Sequence, residues 1–102
     1  MIPELNVEQV TLLTNMASGL GAFSQVVPDP KLDKASDYET IIESVRDNEQ
    51  LVILGLIKEL TDEPSTKEKI VTLFSMTGRM FRVFEITDIA RKLFDGVERP
   101  IQ

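Results

Sequence analysis

The residues of this chain that could do chemistry are carboxylates, lysines, arginines, one tyrosine and hydroxyls, because the sequence contains no histidine and no cysteine. Without imidazole or thiolate, the usual near-neutral general base and the Ser-His-Asp and Cys-His arrangements are excluded. The common zinc sites, which use the same ligands, are excluded as well. We therefore expect a protein that is not an enzyme and that holds no cofactor and no metal.

Acidic residues between 29 and 39 form the segment most similar to a divalent-cation loop. A Ca²⁺ loop places oxygen ligands at alternate positions, with a central glycine and a closing glutamate. Here Asp29, Asp33 and Asp37 are four residues apart, and one proline and two lysines lie between them. The pattern favours a solvated acidic loop over a metal site.

Arginines and large apolar side chains alternate in the stretch GRMFRVFEI, residues 78–86. Cations near aromatic rings are typical of surfaces that bind single-stranded nucleic acid. On a helical wheel, however, the apolar residues from Ile70 to Phe84 fall within an arc of about 120°, and Arg79 and Arg82 lie on the far side. We therefore predict the end of a packed helix with core rings and outward arginines, followed by a turn near residues 85–88.

Charge is distributed unevenly along the chain, which has a net charge of −6. Residues 1–65 contain twelve acids and four bases, a net charge of −8, whereas residues 66–102 contain seven bases and five acids, a net charge of +2. We expect acidic and basic parts to face each other, within one chain or across a dimer. The small positive excess does not favour nucleic acid, whose binding needs a larger cationic footprint.

Helical spacing of apolar residues runs through most of the chain and sets the predicted elements. Asn6 with Gln9 and Ser65 with Glu68 have the spacing of capping boxes, and Thr87 or Asp88 could start a last helix. Gly19 and Gly21 are expected to end the first helix or to allow a close approach. The middle of the chain predicts either two helices, broken at residues 46–49, or one helix from Asp37 to Leu60, and we favour the break. The expected fold is all-α: a small bundle of four or five helices in a single domain, residues 1–102, with a flexible tail at about 97–102.

The segment from Leu51 to Leu60 is apolar nearly all round a predicted helix, so it must be enclosed by other elements or by a second subunit. We predict that Val52, Leu56, Ile57 and Leu60 form the interface of a helical homodimer.

Taken together, these patterns predict a non-enzymatic protein-protein interaction or regulatory module. Its partner would be protein, as a homo-oligomer, and not a membrane, because the longest apolar run has seven residues and a span needs about 20. A cysteine-free sequence is typical of a cytoplasmic protein. The alternative is a helix-turn-helix-like nucleic-acid-binding regulator that uses Arg79, Arg82, Arg91 and Lys92.

Overall fold

The computed structural model describes residues 4–19 and 21–95, and in that part of the chain it has four helices and three strands. The elements are α1 (Val7–Ser18), β1 (Ala22–Val26), α2 (Ala35–Ile53), β2 (Ile57–Glu59), α3 (Pro64–Thr77), β3 (Phe81–Ile86) and α4 (Asp88–Asp95). The prediction of an all-α helical bundle is therefore wrong, because the fold is mixed α/β. The predicted tail at about 97–102 lies outside the described residues.

The three strands form one antiparallel sheet in the order β1-β3-β2, so the last strand along the chain is the central one. Phe23 of β1 pairs with Phe84 of β3, and Ile57 of β2 pairs with Ile86. Because side chains alternate along a strand, these four residues share one face of the sheet. The Phe23 and Phe84 rings stack there with centroids 5.3 Å apart.

Helices α1 and α4 and the end of α2 contribute to the hydrophobic core on that face. The core residues are Leu13, Met16, Leu51, Leu56, Ile57, Phe84, Ile86, Ala90 and Phe94. Three of them, Leu51, Leu56 and Ile57, come from the segment that had been predicted to be a third helix. The segment is thus a helix end, a turn and a strand, and the expectation that it is enclosed holds only in part, because Val52, Ile53 and Leu54 are exposed.

The stretch GRMFRVFEI is the central strand and not the end of a helix. α3 ends at Thr77 because Gly78 takes the left-handed conformation, with φ of 72°, which glycine adopts at no steric cost. Both faces of β3 are at least partly covered, so its sequence lacks the polar alternation of a half-exposed strand. The predicted core stripe is also wrong in part, since the side chains of Phe74 and Met80 are about half exposed.

α2 is one continuous helix, so the predicted break at residues 46–49 is wrong. The polar residues there make tertiary contacts: the side chain of Asn48 donates to Gln25 Oε1 at 2.6 Å, and the Asp47 carboxylate accepts from Asn6. The single-helix alternative runs too far, because a turn at Gly55 leads into β2.

Two of the predicted helix starts are confirmed and one is wrong. Asn6 and Gln9 form a reciprocal capping box, and Thr87 Oγ1 accepts from the amide of Ala90 at 3.3 Å. At α3, Pro64 occupies the first turn and no side chain caps the helix, so the box predicted for Ser65 and Glu68 is absent.

Candidate interaction surfaces

Strand β1 is an edge of the sheet, and its hydrogen-bonding pattern shows which main-chain groups face outward. Ile86 N donates to Gly21 O at 2.7 Å and Val27 N donates to Met80 O at 2.9 Å. In an antiparallel ladder every second residue of a strand is hydrogen-bonded to its partner. Because Gly21 and Val27 bond to β3, the main-chain groups of Phe23 and Gln25 between them also face β3. The amide and carbonyl groups of Ala22 and Ser24 therefore point away from the sheet.

A cleft of about 260 Å³ lies beside β1 on the core side of the sheet. Its lining comes from three elements, α1, β1 and α2: Glu8, Gln9, Leu12, Phe23, Gln25, Ser44, Asp47 and Asn48. Leu12 and Phe23 provide apolar surface, whereas Glu8 and Asp47 provide carboxylates, and no lysine or arginine is among the lining residues. The cleft is thus an apolar hollow with an acidic border.

A polar network fixes the walls of this cleft. The buried side chain of Gln9 donates to Asp47 O at 3.1 Å and to Gln50 Oε1 at 2.8 Å, which joins α1 to α2. The bond from Asn48 to Gln25 then joins α2 to β1. Buried amides with satisfied partners hold neighbouring elements in one arrangement, so the cleft is preformed.

Large apolar side chains are exposed at the end of α2 and at the start of α4. Val52, Ile53 and Leu54 are 36%, 84% and 40% exposed, and Ile89 is 62% exposed. The two segments are held together because Thr87 Oγ1 donates to Gly55 O at 2.6 Å and Thr87 N donates to Leu56 O at 3.1 Å. We call Val52, Ile53, Leu54 and Ile89 the turn surface.

The turn surface includes one of the four residues predicted for the interface. Val52 is exposed, but Leu56 and Ile57 are each only 2% exposed and belong to the core, and Leu60 is half-buried beside β3. The structure therefore does not bring the four residues together on an accessible face. Sequence reasoning missed Ile53 and Leu54 because they were assigned to the enclosed part of a helix.

Arg79 forms a bidentate ion pair with Asp33. Its guanidinium lies 2.8 Å and 3.0 Å from the two carboxylate oxygens, and it also donates to Val27 O at 3.1 Å. The guanidinium, helped by the amide of Asp29, lowers the pKa of Asp33, and the carboxylate in turn raises the pKa of Arg79. This contact ties the loop before α2 to the connection between α3 and β3.

Arg82 forms the second such pair, with Glu59 on β2. Its Nε and Nη2 atoms each lie 2.9 Å from a Glu59 oxygen, and Glu49 follows at 3.7 Å. The Arg82 guanidinium lowers the pKa of Glu59, with a smaller contribution from the Thr61 hydroxyl. Arg82 also lies 5.2 Å from the centre of the Phe84 ring, so the prediction that arginines and rings point apart is wrong at this position.

The four cations of the nucleic-acid alternative do not form one free cationic face. Arg79 and Arg82 are paired with acids from the first two-thirds of the chain, which confirms that the acidic and basic parts face each other. The guanidinium of Arg91 is half-buried against the main chain, with Nη1 3.4 Å from Ala17 O. A Cβ at Gly21 would lie 2.6 Å from Arg91 Nη2, so glycine makes this close approach possible. Of these four residues, only Lys92 is exposed.

Neither a metal-binding cluster nor a membrane span is found in the part of the chain that the structure describes. Over residues 4–19 and 21–95, no group of three or more carboxylates is placed to hold a metal ion. Within the same ranges, no helix has the length and apolar character needed to cross a bilayer.

Comparison of the chain with protein-family models, with curated protein sequences and with solved structures gives no match. The geometry of the two surfaces is therefore the basis for a functional proposal.

Proposed function

We propose that this chain is a non-enzymatic protein-protein interaction module that associates with a second copy of itself through the turn surface. The observation that carries the proposal is the exposure of four large apolar side chains in two segments that Thr87 joins through its hydrogen bonds to Gly55 and Leu56. Exposed apolar side chains that lie near one another are typical of surfaces that bind another protein. The cytoplasmic location expected from the sequence is part of the same proposal.

Charge also supports association at this end. The chain has a net charge of −6, so two copies repel each other over most of their surfaces. Residues 50–57 carry no charged side chain. An uncharged apolar patch is a place where two like-charged molecules can approach, and a two-fold axis through it would bury the same residues from each copy.

The test is sedimentation equilibrium of the native chain and of two variants. We expect a dimer at micromolar concentration and expect Ile53→Glu to weaken it at least about tenfold, because a carboxylate would then be buried opposite its own copy. Met76→Glu is the matched control, since Met76 is similarly exposed but lies on α3, and it should dimerise as the native chain does. Circular dichroism checks that both variants are folded.

A strict monomer at micromolar concentration would overturn the proposal. Equal weakening by Ile53→Glu and Met76→Glu would also overturn it, because the effect would then come from net charge rather than from the turn surface.

A further inference from the structure

The outward edge of β1 has unused hydrogen-bonding capacity. The amide and carbonyl groups of Ala22 and Ser24 point away from β3, and within the described residues no loop or turn hydrogen bond takes them up. Both residues are exposed, and the strand contains no charged residue and no proline. Edge strands are usually protected by such residues or by a covering element, so β1 is open to a further strand.

The cleft beside β1 indicates what an added strand would contain. Side chains of a strand alternate between two faces, so every second residue of an added strand would lie on the core side, next to the cleft. An apolar side chain at the centre would contact Leu12 and Phe23. Residues two positions before and after it would come close to the acidic border, at Glu8 and Asp47.

The charge of the border distinguishes a cationic partner from a second copy of the chain. The cleft is lined by two carboxylates and by no cation. Self-pairing of β1 would bring the same carboxylates of a second copy toward it, together with another net charge of −6. A strand with lysine or arginine at alternate positions meets the opposite charge instead.

We propose that β1 binds an extended, positively charged peptide segment of another protein as a fourth strand of the sheet. Main-chain hydrogen bonds to Ala22 and Ser24 supply affinity, and one apolar side chain in the cleft with flanking cations at Glu8 and Asp47 supplies specificity. This site goes beyond the proposed self-association, because none of its residues belongs to the turn surface.

The probe is a blocked synthetic peptide with the sequence Thr-Lys-Thr-Val-Thr-Lys-Thr, which places valine and both lysines on one side of a strand. Its counterpart has glutamate in place of lysine. We expect the lysine peptide to bind the native chain at low salt and to slow hydrogen exchange of the Ala22 and Ser24 amides, measured by NMR. The glutamate peptide should not bind.

Ser24→Pro is the decisive variant. Proline removes the outward amide of Ser24 but no hydrogen bond to β3, and edge strands tolerate it on that side. We expect Ser24→Pro to lower the affinity for the lysine peptide by about tenfold or more, since one main-chain hydrogen bond and its geometry are lost. Ser24→Thr should keep the native affinity. Glu8→Gln should weaken binding about two- to fivefold at low salt, as expected for an exposed ion pair.

Several results would overturn the proposal. Absence of binding, equal binding of the glutamate peptide, or unchanged binding to a folded Ser24→Pro variant would each do so. If the Ala22 and Ser24 amides exchanged slowly without peptide, and their hydrogen exchange became slower still as the protein concentration rose, a second copy would occupy the edge. Repeating the titration with Ile53→Glu separates the two proposals, because loss of self-association there should leave peptide affinity unchanged.

Discussion

Helices α3 and α4 flank the central strand on either side along the chain, and they contribute very differently to the core. α4 has only eight residues, yet it lies against α1, and its Ala90 and Phe94 are buried in the hydrophobic core. α3 has fourteen residues, of which only Thr66 and Ile70 are buried, while Val71, Phe74 and Met76 are exposed. The contrast teaches that burial follows what a helix packs against and not the number of its apolar residues, because α4 lies against α1 whereas α3 contacts only β3 among the elements in substantial contact.

Polar contacts hold the connection that follows α3. The connection after this helix is fixed by the ion pair of Arg79 with Asp33, and Gly78 N donates to Phe74 O at 2.8 Å to close its last turn. α4 is instead held by its apolar face. We therefore expect α4 to respond to changes in packing and α3 to changes in charge, and four predictions test this difference.

The largest expected effect comes from shortening a phenylalanine in each helix. Phe94→Ala should lower the free energy of unfolding by about 3–5 kcal/mol, because it leaves a cavity in the core. Phe74→Ala should lower it by about 1 kcal/mol or less, because that ring is half exposed. Urea unfolding at neutral pH measures both values. Equal losses would contradict the distinction between the two helices.

A second comparison adds volume instead of removing it. Ala90→Leu should cost about 1–3 kcal/mol, because extra methyl groups in a filled core force side chains out of favoured rotamers. Ser75→Leu on the exposed side of α3 should change the free energy of unfolding by no more than about 0.5 kcal/mol. If Ala90→Leu were equally harmless, α4 would not be closely packed.

The third prediction concerns pH and tests the polar attachment of α3. The pKa of Asp33 is lowered in the folded chain, so its contribution to stability is present above the unfolded pKa of about 3.9 and is lost as the pH falls through the folded value. Asp33→Asn should lower the urea midpoint at neutral pH. The midpoint of this variant should then fall less than that of the native chain when the pH is lowered below about 4. The remaining pH dependence of the midpoint should include the contribution of Glu59, whose pKa is lowered by Arg82.

Asp62→Asn is the control for this measurement, because it removes the same charge from an exposed turn residue. It should follow the native pH profile. An Asp33→Asn variant with that same profile would show that the ion pair does not stabilise the folded chain.

The smallest effect is expected at the exposed side of α3. Met76→Gln should change the free energy of unfolding by no more than about 0.5 kcal/mol, the range for exposed positions. The measurement is again urea unfolding, at two protein concentrations. A loss above about 1 kcal/mol that grows with concentration would show that a second copy covers α3.

The sequence predicted local polar features better than it predicted the sheet. The Asn6–Gln9 box and the Thr87 cap depend on residues three positions apart, and the pairs of Arg79 and Arg82 with distant acids followed from the charge distribution. The strand β3 was missed because Phe81 and Phe84 are three residues apart and fit a helix as well as a strand. Only the left-handed Gly78 separates the two cases, and its conformation is not visible in the sequence.

The candidate surfaces were missed for a related reason. Leu56 and Ile57 were assigned to an interface because a wholly apolar helix must be covered, but a turn and a short strand place them in the core of their own chain. The β1 edge became visible only once its register with β3 was known, since Phe23 and Gln25 acquire a common face from the sheet and not from spacing along a helix.

The position of β3 at the centre of the sheet has a consequence for how the chain folds. β1 and β2 are not neighbours, so neither can form a ladder until β3 arrives, and β1 pairs with residues 55 to 63 positions further along the chain. β2 pairs with β3 across only 25 to 29 residues, so the ladder of β1 with β3 is the one that closes the long loop, and it slows folding relative to a helical bundle of this length. During synthesis, β1 and β2 therefore leave the ribosome before their sheet partner, and the hydrophobic core is complete only after Phe94 has emerged.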